Sequence, residues 1–156
     1  MLTIILLILV NISDKAGCEQ VEDRQVTIVT PKHDGTFQCE ILTMNQCFFT
    51  MRGTALNLKE GDYLNIFLQV EDGNVWWRAG DPIAYKRDFV YDWSVPMLSI
   101  DPNRPFRRFV AIVLIAKEAI PPGKNYAVLP EHFAESPLCH FSLASYSYSI
   151  YLMKNH

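Results

Sequence analysis

The sequence predicts an all-β fold of the sandwich class, and three observations carry that expectation. Apolar residues recur at every second position in several separate runs, the period of a strand with one covered face. Clusters of turn-forming residues separate those runs at short intervals. One run, Phe109 to Ile115, is apolar at every position, which suits a central strand covered on both faces. That run also has the pattern of a short buried helix, but its β-branched content favours the strand.

Residues 1–18 come first and stand apart. The apolar run from Met1 to Val10 is about half of the roughly 20 residues that a membrane-spanning helix needs, and Asn11, Asp14 and Lys15 interrupt it. Ala16 and Cys18 are small residues spaced as a signal peptidase accepts, so residues 1–18 read as a cleavable signal peptide and 19–156 as one domain. No Lys or Arg precedes the run, and a buried first strand is the alternative. Ala16-Gly17-Cys18 also resembles the end of a lipobox, with Asp14 and Lys15 against it. Export places the domain in a secreted or periplasmic setting, where disulfides persist and nucleotide cofactors are scarce.

The strands follow in order. Val26 to Thr30, Phe37 to Ile41 and Phe48 to Arg52 open the series, with His33-Asp34-Gly35 as the first turn. Tyr63 to Val70 sets Leu64, Ile66, Leu68 and Val70 on one face, between the turns Lys59-Glu60-Gly61-Asp62 and Glu71-Asp72-Gly73-Asn74. Val75 to Arg78 ends at Gly80-Asp81-Pro82. Tyr91 to Leu98 puts Trp93 in the core with Tyr91, Val95 and Met97. Pro31 and Pro82 close strands. After Phe109 to Ile115, Ala116 to Ala119 offers a helical turn before Pro121-Pro122-Gly123 forbids continuation. Residues Pro122 to Pro137 read as a long ordered loop or short helix. Ser145 to Leu152 is the last strand, with Tyr146, Tyr148, Ile150 and Leu152 inward and Ser145, Ser147 and Ser149 outward.

With 49% hydrophobic and 20% charged residues and a net charge of -3, the composition is that of an ordinary globular protein and does not advertise nucleic acid. The densest basic group, Arg104, Arg107 and Arg108, lies in a Pro-rich turn segment and reads as a solvated loop.

A resemblance enters on particular residues. Arg52-Gly53-Thr54-Ala55, Gly61 to Phe67, Val75 to Pro82 with its paired tryptophans, Asp92-Trp93 and Phe109 to Val113 resemble immunoglobulin-like sandwich modules of bacterial exported proteins. Val128-Leu129-Pro130 and Ser136-Pro137 are similar to the segment those modules carry ahead of their last strand. The likeness spans roughly Val26 to Leu152. It implies an immunoglobulin-like antiparallel β-sandwich of about seven to eight strands that binds, adheres or spaces without catalysis. One departure is that no cysteine lies in Phe109 to Ile115, so an antibody-type disulfide between the sheets cannot form.

Cys39 and Cys47 lie around Met44-Asn45, close enough to staple a hairpin or strand corner, and are the favoured pair. Cys139 is then a free buried thiol, or pairs with Cys18 if that residue is retained; Cys47 with Cys139 stays open. Cys139-His140 is a poor metal site, because neighbours in a strand face opposite ways. No metal and no cofactor is expected.

Catalytic patterns are thin. The four histidines are dispersed, and neither a Gly-x-Ser-x-Gly nor a His-Glu-x-x-His pattern occurs. Cys139 with His33 or His132, and paired acids such as Glu131 with Glu135 or Asp62 with Asp72, are the imaginable constellations; buried thiol and solvated carboxylates are the simpler reading. No catalytic residue is assigned.

Trp76-Trp77 is the sharpest feature, since adjacent strand residues point to opposite faces and both rings cannot enter one core. With Trp77 in the core beside Val75, Trp76 and Arg78 occupy the outer face, where an indole stacks on a sugar or anchors a protein. The reverse parity, or a loop covering the second ring, is the alternative. The reading is an exported, non-catalytic module that recognises a protein or glycan through Trp76, Trp77 and Arg78, with no nucleic acid partner and with membrane attachment only through an uncleaved leader. The alternatives are a secreted enzyme inhibitor or toxin-associated factor acting through Asp101 to Pro105, and a small extracytoplasmic hydrolase.

Overall fold

The computed structural model describes residues 23–39, 41–42, 46–85, 90–100 and 108–144. The leader, the Asp101 to Pro105 loop and the Ser145 to Leu152 strand lie outside the described residues.

Eleven strands run through the described residues: β1 (Gln25–Thr30), β2 (Gly35–Phe37), β3 (Ile41–Leu42), β4 (Cys47–Leu56), β5 (Tyr63–Val70), β6 (Trp76–Ala84), β7 (Val90–Ile100), β8 (Arg108–Ala116), β9 (Asn125–Tyr126), β10 (Ala134–Glu135) and β11 (Cys139–Leu143). They form two sheets. In the four-stranded sheet β4 is central, with β1 and β3 paired to it and β7 antiparallel to it over its whole length. The seven-stranded sheet runs β2-β11-β8-β5-β6-β9, with β10 also on β8. The facing sides bury one continuous core, in which Phe49, Met51 and Trp93 of the first sheet meet Leu64, Ile66, Phe109, Val113 and Phe141 of the second.

The all-β expectation is met in two sheets, and several local expectations are corrected. More, shorter strands occur than the seven to eight expected. Phe37 to Ile41 is not one strand, because β2 ends at Phe37 and β3 begins at Ile41. The pairing of β2 with β11 is parallel, so the second sheet is not wholly antiparallel. Gly80-Asp81-Pro82 does not end a strand. Between the pairs Leu64 with Ile83 and Ile66 with Ala79, three residues of β6 face one of β5, so these turn formers make a bulge, with Gly80 at φ 64°. Proline is tolerated there because a bulge removes the need for its missing N–H. Pro96 is used in the same way, since Pro96 and Met97 of β7 stand opposite Thr50 alone. Among the described residues no helical turn follows Ala116.

The other correction concerns the sheet's outer face. Tyr63 to Val70 was expected to have one covered face, yet Asn65 and Phe67 are as buried as Leu64 and Ile66. Phe109 to Ala116 is buried throughout, as a run without polar positions requires. The cover is the chain between β8 and β11. It lays Ile120 on Phe67, Ile112 and Leu114, with Tyr126 and Leu129 partly buried beside them. Asn65 pins its start, accepting the Ile120 N–H at 3.0 Å and donating to the Glu118 carbonyl at 3.1 Å. Ser136 pins its end, its N–H bonded to the Val113 carbonyl and its Oγ to the Val113 N–H.

Cys39 and Cys47 are bonded, with Cα atoms 5.3 Å apart and a separation of 8 residues, and Cys139 is the free thiol, buried. A loop that short restrains the unfolded chain by about 2 to 3 kcal/mol. Replacing both Cys39 and Cys47 by Ser is expected to lower stability by that amount, as a fall in urea midpoint at similar slope. Identical midpoints for the wild type and the double variant would show that the link restrains nothing.

Candidate functional site

The site is built on the first turn-proximal residues of β6. Val75 is exposed, and Trp76 and Trp77 follow it, each half-buried. β6 is held on one side by β5, through Leu68 with Trp77 and Phe67 with Arg78, and on the other by the two-residue β9, through Tyr126 with Trp76 and Asn125 with Trp77. Strand alternation then sends the two indoles to opposite faces. Trp77 packs on the core between the sheets, edge-on to Phe109 with ring centroids 6.4 Å apart. Trp76 lies on the outer face with Phe67, Ile112, Tyr126 and Leu129. The parity read from sequence for the two indoles is therefore the one observed, but Val75, expected on the core face beside Trp77, is exposed ahead of β6, and Trp76 is not bare: the crossing segment covers part of it.

Arg78 requires a larger correction. It lies on the Trp76 face as expected, but it is 2% exposed rather than a surface cation. Its Nη1 donates to the carbonyls of Ile66 at 3.2 Å, Gly80 at 3.0 Å and Ala79. Its Nε and Nη2 have no partner among the described residues. The guanidinium carbon stands 6.0 Å from the Phe67 ring centroid. Burial lowers its pKa to about 10, against the opposing fields of Asp81 and Tyr126.

The remaining candidate groups are not brought together. Asp62 lines a cleft of about 310 Å³ together with Glu60, Gly61, Tyr63, Ala84 and Tyr85. Its oxygens are already committed to Arg24 Nε at 2.7 Å, Lys117 Nζ at 2.8 Å and the Lys59 N–H at 2.7 Å. Asp72 lies at the other end of β5, roughly 25 Å of strand away. Glu135 bonds His132 at 3.1 Å, and Glu131 is exposed. Cys139 directs its Sγ to the Pro31 carbonyl, and burial pushes its thiol up to about 11, so it stays protonated. His33 accepts the His140 N–H and faces Asp34, and His140 bonds Glu71, on the opposite side of β11 from Cys139. Arg104 and Arg107 lie outside the described residues, and Arg108 is paired with Glu71 at 2.7 Å and Asp34 at 3.4 Å. Among the described residues no three His, Cys, Asp or Glu side chains gather as a metal site.

Sequence reasoning missed the residues that frame this edge, Tyr126, Lys124 and Gly123. A signal was present: a run apolar at every position demands a second cover, and Ile120, Tyr126 and Leu129 follow it directly. No protein-family model matches the chain, and no curated protein matches it significantly.

Proposed function

We propose that this protein is an exported, non-catalytic binding module of the immunoglobulin-like sandwich type, and that it recognises a protein or glycan through the start of β6. One observation carries the reading: two neighbouring indoles sit on β6 one strand in from the sheet edge that the short β9 forms, one on each face, half-covered by packing and half-open to water. Packing removes the rotamer freedom that a free indole would lose on binding, while the open half keeps apolar area available to a partner. The Cys39–Cys47 bond supports a compartment that permits disulfides, as the apolar leader does.

The test is a glycan array and a pull-down from native surroundings with the intact chain, repeated with Trp76→Ala and Trp77→Ala. W76A is expected to weaken binding at least about tenfold, a hot-spot effect of about 1.4 kcal/mol, while keeping the fold. W77A is expected to weaken binding and also to lower stability by about 2 kcal/mol, since it removes a ring packed on Phe109. Unchanged binding by both variants to a partner held by the wild type would remove the proposed surface.

A further inference from the structure

We propose that the ligand of the β6 edge is an acidic glycan, whose carboxylate or sulfate is received by Arg78 when the strap Pro121–Tyr126 lifts from the sheet. This rests on the reading of that edge as the binding surface.

A guanidinium presents two useful sides. In Arg78 one side is spent: Nη1 is held by the carbonyls of Ile66, Ala79 and Gly80, which fix the plane of the group. The other side, Nε with Nη2, is the fork that meets both oxygens of a carboxylate or sulfate, and it has no partner among the described residues. Among the described residues no acidic side chain forms an ion pair with it, although the group is 2% exposed. A buried cation whose acidic neighbour Asp81 makes no ion pair with it is costly, so an oxyanion that reached the fork would recover energy that the closed state leaves unused. Three carbonyls hold the group ready while its bidentate edge stays open.

The cover over this fork is held by one ring contact, Tyr126 edge-on to Phe67 with centroids 5.5 Å apart, and by few other ties. Residues 121–125 are exposed, and β9 pairs with β6 over two residues only. Next to Arg78 the strap is tied by two long backbone bonds, Arg78 N–H to the Lys124 carbonyl at 3.2 Å and Gly123 N–H to the Arg78 carbonyl at 3.4 Å. Gly123 has φ 83°, which favours glycine, and a Cβ there would touch nothing within 4 Å, so the strap turns at this point without packing. Beyond the strap the chain is anchored, by Asn65 on Glu118 and Ile120 and by Leu129 against the outer face. Any lifting would thereby be confined to residues 121–126.

Lifting the strap would uncover Trp76 and Arg78 together, two residues apart on one face and hence about 7 Å from each other. A sugar ring stacked on the indole, with its acidic substituent in the fork, spans that distance. Neutral sugars use only the ring.

The experiment titrates the intact chain with an oligosaccharide of uronic acid residues and with its neutral counterpart, at constant ionic strength, following tryptophan fluorescence. The same is done for W76A, Arg78→Met and Arg78→Lys, with an acidic peptide of equal charge as a further probe. Expected is at least a tenfold preference for the acidic oligosaccharide, abolished in R78M and largely lost in R78K, which keeps the charge without the fork. Faster amide exchange at Gly123 and Lys124 in the bound state is expected too. Should R78M fail to fold, R78K decides. Equal binding of acidic and neutral sugars, both lost in W76A, would overturn the Arg78 inference and leave the edge standing. A preference that survives in R78M and R78K overturns the inference as well. An acidic peptide that binds as well as the sugar overturns the glycan assignment, and no binding of either sugar overturns the proposal.

Discussion

Gly53→Ala is expected to cost more than about 4 kcal/mol, enough to unfold most of a domain of ordinary stability at room temperature. A Cβ on Gly53 would stand 1.9 Å from the Thr27 carbonyl oxygen and 2.3 Å from Cζ2 of Trp93. Neither neighbour can retreat. The carbonyl belongs to β1, whose Ile28 is the register partner of Gly53, and moving it separates β1 from β4. Trp93, the partner on the other side, is 1% exposed and packed within the core. A glycine in mid-strand normally weakens a sheet, but here the indole occupies the space that a side chain would take. Gly123→Ala is the control. Its φ disfavours alanine, yet open space surrounds it, so about 1 kcal/mol is expected. Urea unfolding followed by far-ultraviolet circular dichroism measures both, and a G53A variant within about 1 kcal/mol of the wild type would mean that Trp93 does not lie across Gly53.

That contact shows what was legible in the sequence. Trp93 alternates with Val95, so its burial follows from the two-residue period alone, and the bounds of β5 follow in the same way from Leu64, Ile66 and Leu68. The Cys39–Cys47 pair was readable because a short separation limits the geometry. What the period cannot report is the use to which a residue is put by a distant element. Gly80, Asp81 and Pro82 are turn formers by local chemistry, and only the pairing of β6 with β5 makes them a bulge. Arg78 looks like a surface cation until the segment after β8 is laid across it. Cys139 to Leu143 alternates cleanly, buried at Cys139, Phe141 and Leu143, yet the strand series read from the sequence names none between Ile115 and Ser145. The candidate site was half visible: strand parity separated the two indoles, while their partial covering depended on Tyr126, which lies far along the chain.

The second large effect is expected at Asp62, where Asp62→Ala should cost about 3 kcal/mol. The carboxylate is 1% exposed and gathers Arg24 from the lead into β1, Lys117 from the end of β8 and the Lys59 N–H of its own turn. Phe133 stacks near both cations, 4.7 Å from Arg24 and 5.8 Å from Lys117. Removing the acid leaves two positive groups facing one another beside an apolar ring. Lys117 is half-exposed and Arg24 partly so, and water and salt therefore keep the loss at the lower end of the range for a fully buried pair. Burial works to raise the Asp62 pKa, but hydrogen bonds from Arg24, Lys117 and Lys59 outweigh it, and the folded carboxyl is more acidic than the unfolded one. Its stabilisation is accordingly complete above the unfolded value of about 3.9 and disappears as the pH falls through the folded pKa. Asp62→Asn, which keeps the shape without the charge, should therefore lower stability at pH 7 and flatten the acid limb of the stability curve below about pH 4. If D62N and wild type lost stability in parallel over that limb, the clamp would contribute no charge-dependent stability, and the sheets would meet at this end through Phe133 and the core alone.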